Sequence, residues 1–470
     1  MQMRRSLSLS TILVGSVLAV IVAVGTGAPR LSTVVSTPDA PVRVSGLGAA
    51  VVVESRVAAR HLADVSALTK YRPGYTFWEH VFRIPDGAVV FGSAEDGRPL
   101  AVARGMTTRE RESLAARLEA QYGAILHNGT RGTFASPGID TYGSFFAEWG
   151  AIYERFGVPR EIGLAQALLE SGFIGDRRSE ANAVGLCQFL ESNWKLLDRL
   201  DPAVLEIANQ TTQAAYCAAY LSVLATKYDS FIPALSEHHA GGTNVGRVLV
   251  SGERLGGRTP REQYLMGSDF AVGLRAIGGG DFSEIYGSYG PRSYRYAEMV
   301  FGNTRRIEEA IEAAPQTRIY AMRTSRAITL DEIVRRTRLS ASEVRRFNPA
   351  LVKRVPAGAT LYLPMLDESF GRDVTFWHQD VDAGFAALLG EFEQIDVDPS
   401  EWATPAFAAT LKDYAQRFRA TGSHEGIVMS TVLEYVAREA AGPRHEILAT
   451  YRSSPKIQHL FQVGAEALAE

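Results

Sequence analysis

Cysteine is nearly absent from this chain: Cys187 and Cys217 are the only two among 470 residues. Their wide spacing is neither a zinc pattern nor a Cys-x-x-Cys redox pair, so a multi-thiol metal site and a thioredoxin-like centre are excluded. The two can bridge in an oxidising compartment or stand apart as small core residues, and the spacing leaves both open. A charge excess of either sign is missing as well. Lys and Arg number 49 against 52 Asp and Glu, a formal net charge of −3, which rules out a globally basic nucleic-acid binder. Low-complexity tracts are lacking, and 43 Gly with 20 Pro is an ordinary share, so collagen-like and wholly disordered readings fall away. Beyond Ala28 no apolar run reaches spanning length without a charge. What is present is globular material, 46% hydrophobic and 21% charged, with length for about three or four compact units.

The start of the chain sets the compartment. Arg4 and Arg5 precede the uncharged stretch Leu7–Ala28 with its apolar core Ile12–Val24, the pattern of an export segment. Residues 1–28 are expected to be either a signal peptide, cut after Gly27 or Ala28, or an anchor retained in the inner membrane. The rest is then exported to the periplasm or cell envelope, free or tethered through this segment. Residues 29–47 read as a tether.

Coarse patterning predicts a mainly α chain with smaller α+β parts. Residues 29–140 are expected to form an α+β region of unassigned role, with β-rich Tyr75–Ile84 and Gly87–Phe91, turn dipeptides Asp86-Gly87 and Asp96-Gly97, and a helix over Thr107–Tyr122 with Thr108 at its N-cap. Residues 141–305 are predominantly helical, with candidates Tyr142–Phe156, Pro159–Glu170 and Ala203–Tyr228, the last broken internally or continuous. Residues 317–364 carry a strand at each end, and 365–470 read as short amphipathic helices such as Pro405–Phe418 and Glu425–Glu439, cut at Gly442-Pro443 and Ser454-Pro455.

The chemistry concentrates in Val158–Phe189. Glu170 ends an otherwise apolar helix, with Gln166 on the same face one turn earlier and Ser171-Gly172-Phe173 turning the chain after it. A carboxyl at the edge of a hydrophobic element is expected to have its pKa raised by desolvation, which suits a general acid. By itself the pattern is better read as a helix-terminal Glu facing solvent.

Its company distinguishes the two. Glu170-Ser171, then Ser179, then Ala183-x-Gly185-Leu186-x-Gln188-Phe189 resembles, in order and spacing, the family 1 (SLT-type) lytic transglycosylases that cleave bacterial peptidoglycan, and most nearly the membrane-bound lytic murein transglycosylase D group. The interval from Glu170 to Gly185 matches the family's own, and the two motifs together are specific where either alone is not. At the family's Ala-Tyr-Asn-x-Gly position this chain reads Glu237-His238-His239-Ala240-Gly241, so His238 replaces the Tyr and His239 the Asn, and Gly246-Arg247-Val248 continues as the family does. A His can donate one hydrogen bond to a sugar but cannot copy an amide's paired donor and acceptor. Glu237, His238 and His239 are not expected to bind a metal, since adjacent histidines on one segment rarely converge on one ion. Pro291–Val300 resembles the family's segment in which a Tyr precedes a short helix; Tyr296 fits best and Tyr294 is the fallback.

The resemblance implies a lysozyme-like catalytic domain over 141–305 and cleavage of the bond between N-acetylmuramic acid and N-acetylglucosamine, with no cofactor and no metal. Glu170 would act as acid and then as base, closing a 1,6-anhydro ring, while the substrate's N-acetyl group replaces a second carboxylate; Glu180, Glu191 and Asp201 all sit in polar surroundings. Ser171, Gln188, His239 and Tyr296 would bind the sugar or orient the acid.

Residues 317–364 give a βααβ order: strand Arg318–Met322, helices Leu330–Thr337 and Ser342–Phe347, strand Thr360–Leu363. This resembles a single LysM repeat, which implies binding of N-acetylglucosamine-containing glycan, although the usual Gly-Asp before the first helix is replaced by Ala327-Ile328. Ten bases against three acids make the segment locally basic, favouring peptide-stem carboxylates or anionic lipid by long-range attraction. The expected partner is the glycan strand of peptidoglycan. Two other readings share these residues: a wall-binding scaffold with weak turnover, favoured by the substituted third motif, and a hydrolytic muramidase of goose-lysozyme type.

Overall fold

The computed structural model describes residues 46–84, 88–128, 137–201, 207–277, 282–287, 293–376, 382–440 and 444–469. The expected signal or anchor at residues 1–28 lies outside the described residues. The fold is mainly α, with 68% helix against 9% strand, the strands confined to small sheets. No helix among the described residues is long and apolar enough to cross a membrane.

The N-terminal region departs from its expected pattern in two places. Gly46–Tyr71 is one helix of 26 residues, beginning within the stretch read as a tether. Tyr75–Ile84 is helical too, as a 3-10 turn Pro73–Thr76 running into Phe77–Phe82. Its aromatic and β-branched residues favour a strand locally. Tertiary burial overrides that preference, because Phe77, Trp78, Val81 and Phe82 fall on one helical face and all enter the core. The β-rich stretch at Gly87–Phe91 does enter a strand, Ala88–Ser93, which lies between Pro99–Arg104 and Ile125–His127 in an antiparallel sheet. Helix Thr108–Tyr122 is capped one residue earlier than expected, with Thr107 and Glu110 closing a capping box.

One continuous core runs from this region through the central helices to the C-terminal ones. Helix Arg160–Ser171 lies inside it, with Ile162, Leu164, Ala165, Ala167 and Leu168 buried. Helix Gln210–Tyr228 is buried on nearly all sides, and the hairpin of Pro405–Ala420 and His424–Ala440 packs over it. Its run of Ala, Leu, Val and Tyr suits such all-round burial, and its buried polar residues, Gln213 and Lys227 among them, are hydrogen-bonded.

The βααβ segment forms strand Tyr320–Thr324, helices Leu330–Thr337 and Ala341–Phe347, and strand Thr360–Leu363. Its sheet takes a third strand, Val374–Phe376, from beyond residue 364, paired Val374 to Thr324. A small core of its own includes Met322, Ile333, Val344, Leu361 and Phe370. The segment is nonetheless fastened to the central helices. Phe347 meets Phe145 edge-on at 5.1 Å, Tyr362 and Thr212 share a 2.7 Å hydroxyl bond, and the Asn209 amide donates to the Phe347 carbonyl at 3.2 Å.

Candidate active site

Glu170 is the penultimate residue of helix Arg160–Ser171. The helix stops because Gly172 adopts φ +61°, and its N–H turns back to the Ala167 and Leu168 carbonyls. The Glu170 side chain keeps 14% of its surface exposed, the outward edge of an otherwise buried helix.

Two distant segments meet this carboxyl. Tyr296, the first residue of helix Tyr296–Gly302, donates its hydroxyl to Glu170 Oε1 at 2.5 Å. The alternative Tyr294 is buried elsewhere, its hydroxyl on the Tyr286 carbonyl at 3.3 Å. His239, near the end of helix Phe231–Ala240, places Nδ1 3.8 Å from Glu170 Oε1. Its ring lies flat on the Tyr296 ring, with centroids 4.3 Å apart and planes 5° from parallel. His238, beside it, holds the Cys187 carbonyl at 2.7 Å through Nε2.

The Gly185–Gln188 loop behind Glu170 is braced by side chains. Gly185 has φ +88°, and a Cβ there would stand 2.4 Å from the Gln213 amide. A side chain at 185 is therefore excluded by backbone and by space. Gln213 in turn accepts from the Leu186 N–H at 3.0 Å and donates to the Gly175 carbonyl at 2.7 Å. A disulfide joins Cys187 to Cys217, with Cα atoms 6.0 Å apart, and so ties this loop to helix Gln210–Tyr228.

Two of the expected sugar-binding residues are occupied with this bracing. Ser171 is fully buried and its hydroxyl reaches the Ala167 and Leu186 carbonyls, both at 3.3 Å, so it supports the loop and does not face a ligand. Gln188 is half-buried and its amide donates to the Arg177 and Gly185 carbonyls at 3.0 Å, which leaves its carbonyl oxygen as the group available to a ligand. Glu170, Tyr296 and His239 are brought together as a cluster.

The protonation of Glu170 corrects the sequence-based expectation of a raised pKa. Burial is the largest influence and does push the carboxyl up, but the adjacent His239 side chain, the charges on His238 and His239, and the Tyr296 hydrogen bond together hold it below the usual carboxylate range. Burial and the neighbouring Glu170 charge push the Tyr296 hydroxyl well above its usual value, so it stays a donor. Burial keeps His238 below the ordinary imidazole range.

The helix carrying the histidines is fixed at both ends. At its start Asp64 accepts from the Phe231 N–H at 2.7 Å and from Ser230 at 2.6 Å. At its end Glu237 is buried among Lys227 at 2.7 Å, Arg444 at 2.8 Å and the Tyr228 hydroxyl. These supports, and Gln213, escaped the sequence reading. A cavity of about 290 Å3 borders Lys227, Tyr228, Leu249, Arg444 and Leu448, and it belongs to this Glu237 cluster, not to Glu170.

Among the described residues no group of three or more His, Cys, Asp and Glu is placed to hold a metal ion. Comparison of the chain with protein-family models and with curated protein sequences finds no match.

Proposed function

We propose that this protein is an exported peptidoglycan lytic transglycosylase, with a lysozyme-like catalytic domain over residues 141–305 and a LysM-like glycan-binding module beginning at 317. The supporting observation is the meeting of separate motifs at one carboxyl. Glu170 and the Gly185–Gln188 loop, both named by the sequence resemblance, lie together with His239 and Tyr296 from two later helices, and Tyr296 bonds to the acid.

In this reading Glu170, protonated, gives its proton to the glycosidic oxygen between N-acetylmuramic acid and N-acetylglucosamine. The substrate's acetamido group supports the positive charge that develops at the anomeric carbon. Glu170, now a carboxylate, takes the proton of the muramyl 6-hydroxyl, whose oxygen closes the 1,6-anhydro ring, and the carboxyl is restored. Tyr296 orients the carboxyl throughout. A sugar seated on the exposed edge of Glu170 excludes water there, which favours the protonated form the first step needs.

The depressed pKa of Glu170 favours a second reading, a wall-binding scaffold with little turnover. Digestion of purified sacculi by wild type and Glu170→Gln, with muropeptides identified by mass spectrometry, separates the readings. Anhydro products one water lighter than reducing ends, lost on substitution, support transglycosylation. Reducing ends indicate a hydrolase, and pelleting with sacculi without soluble product indicates a scaffold.

A further inference from the structure

The resemblance places an Asn where this chain has His239, and the side chain found there is built into the acid's surroundings. One face of the imidazole lies on the Tyr296 ring at 4.3 Å, Nδ1 stands 3.8 Å from Glu170, and 33% of the side chain is open to solvent. Tyr296 touches both partners, bonding the carboxyl by its hydroxyl and stacking on the imidazole by its ring. An Asn at this position could hydrogen-bond but could not carry charge.

We propose that His239 gates the site: in its imidazolium form, laid on Tyr296 and paired with Glu170, it locks the carboxylate in an ion pair that must open before the acid can work, so cleavage is confined to acidic surroundings. This rests on the reading of Glu170 as the acid. It deepens that reading, because regulation enters through the residue at which this chain departs from the resemblance.

Two imidazoles bear on Glu170, and His239 is the one whose ring nitrogen stands beside the carboxyl while its ring lies on Tyr296. From helix Phe231–Ala240 the facing groups are His238 and His239, and from helix Tyr296–Gly302 the facing group is Tyr296. His238 is engaged on the Cys187 carbonyl and is kept neutral at neutral pH by burial. Tyr296 is neutral across the working range. Arg177, in the loop after Glu170, is directed to the Ser171 carbonyl at 3.4 Å. On the helix of Glu170 itself, Gln166 is buried and uncharged. The lowering of the Glu170 carboxyl traces first, after the opposing effect of burial, to the neighbouring His239 side chain, with His238 next.

The test uses the full chain as wild type, His239→Asn and His239→Gln. Rates of sacculus digestion are followed across pH 4–8, and thermal unfolding across the same range is compared with and without Glu170→Gln in each background. Either amide variant should carry its activity to higher pH, with about a tenfold gain relative to wild type on the falling alkaline side, the lower end of what an opposite charge at this range produces. In wild type, Glu170 contributes stability above the ordinary carboxylate range and loses it as pH falls through its depressed value, so the gap between Glu and Gln at 170 should widen with rising pH. In the amide backgrounds that widening should shrink or reverse. Unmoved pH profiles, together with an unchanged unfolding gap, would overturn the gate. Absence of digestion by every variant at every pH, with the unfolding gap still dependent on His239, would sink the transglycosylase reading and the gate built on it while leaving the ion pair in place.

Discussion

Tyr296 donates its hydroxyl to Oε1 of Glu170 at 2.5 Å, across 126 residues of chain. A hydrogen bond to a charged group contributes about 1.5–3 kcal/mol. Burial keeps the phenol protonated, so the donor persists at any working pH.

Tyr296→Phe should therefore lower the rate of muropeptide release by roughly 10- to 100-fold, the rate equivalent of that energy. The pH dependence has a definite sign. The Tyr296 bond helps to hold Glu170 down, so removing it raises the carboxyl and moves the alkaline side of the profile upward even as the maximum falls. A profile displaced to lower pH would contradict this placement of Tyr296.

The disulfide is expected to act through the loop it anchors. Cys187 sits between Leu186, held by Gln213, and Gln188, and its carbonyl receives His238. Closing a loop of 30 residues restrains the unfolded chain, a stabilisation of about 2–4 kcal/mol. Replacing both cysteines by Ala should lower Tm measurably, and reductant should lower the wild type's Tm toward that of the double variant without affecting the variant. Digestion should fall as well, since the loop and the His238 contact both loosen.

How much of this was legible in sequence depends on the range of the interaction. Helices Leu330–Thr337, Pro405–Ala420 and Arg160–Ser171 follow local apolar spacing and caps, and their observed ends lie within a few residues of those expected. Tyr75–Ile84 was misread because its residues have β preference and only their shared burial makes a helix. Glu170's position was readable from spacing, but the sign of its pKa shift was not. Burial is inferable from an apolar helix, whereas the opposing His239 and Tyr296 contacts come from helices far along the chain. Ser171 was expected to bind sugar, and only its burial beneath the loop reveals that it braces Leu186.

Glu237 should report acid sensitivity. Burial pushes its carboxyl up, but Lys227, Arg444 and the Tyr228 hydroxyl outweigh this and hold it down to about 2 from an ordinary 4.5. A depressed carboxyl contributes stability that is present above its unfolded value and lost as pH falls through its folded one. The Tm difference between wild type and Glu237→Gln should therefore be full above pH 4.5 and close as pH drops toward 2. At neutral pH the variant leaves buried Lys227 and half-buried Arg444 without their partner, at a cost of about 3–5 kcal/mol. Because burial already lowers Lys227, raising the pH should let it shed its proton and recover part of the loss. Calorimetry across pH 2–10 reads all three effects.

The βααβ segment is expected to unfold with the central helices. Its only contacts could have been a flexible linker, but Phe347 is buried against Phe145, and Asn209, which caps helix Gln210–Tyr228 through its side-chain oxygen, donates its amide to the Phe347 carbonyl. Removing a buried Phe side chain costs about 3–5 kcal/mol when the site cannot collapse. Phe347→Ala should therefore lower the Tm of the catalytic region itself, and Thr212→Val, which removes the hydroxyl bonded to Tyr362, should do so to a smaller degree. In the wild type a single calorimetric transition should cover both parts. A swinging module would instead give two transitions, with Phe347→Ala moving only the one that belongs to residues 317–376, and that outcome would refute the fastening.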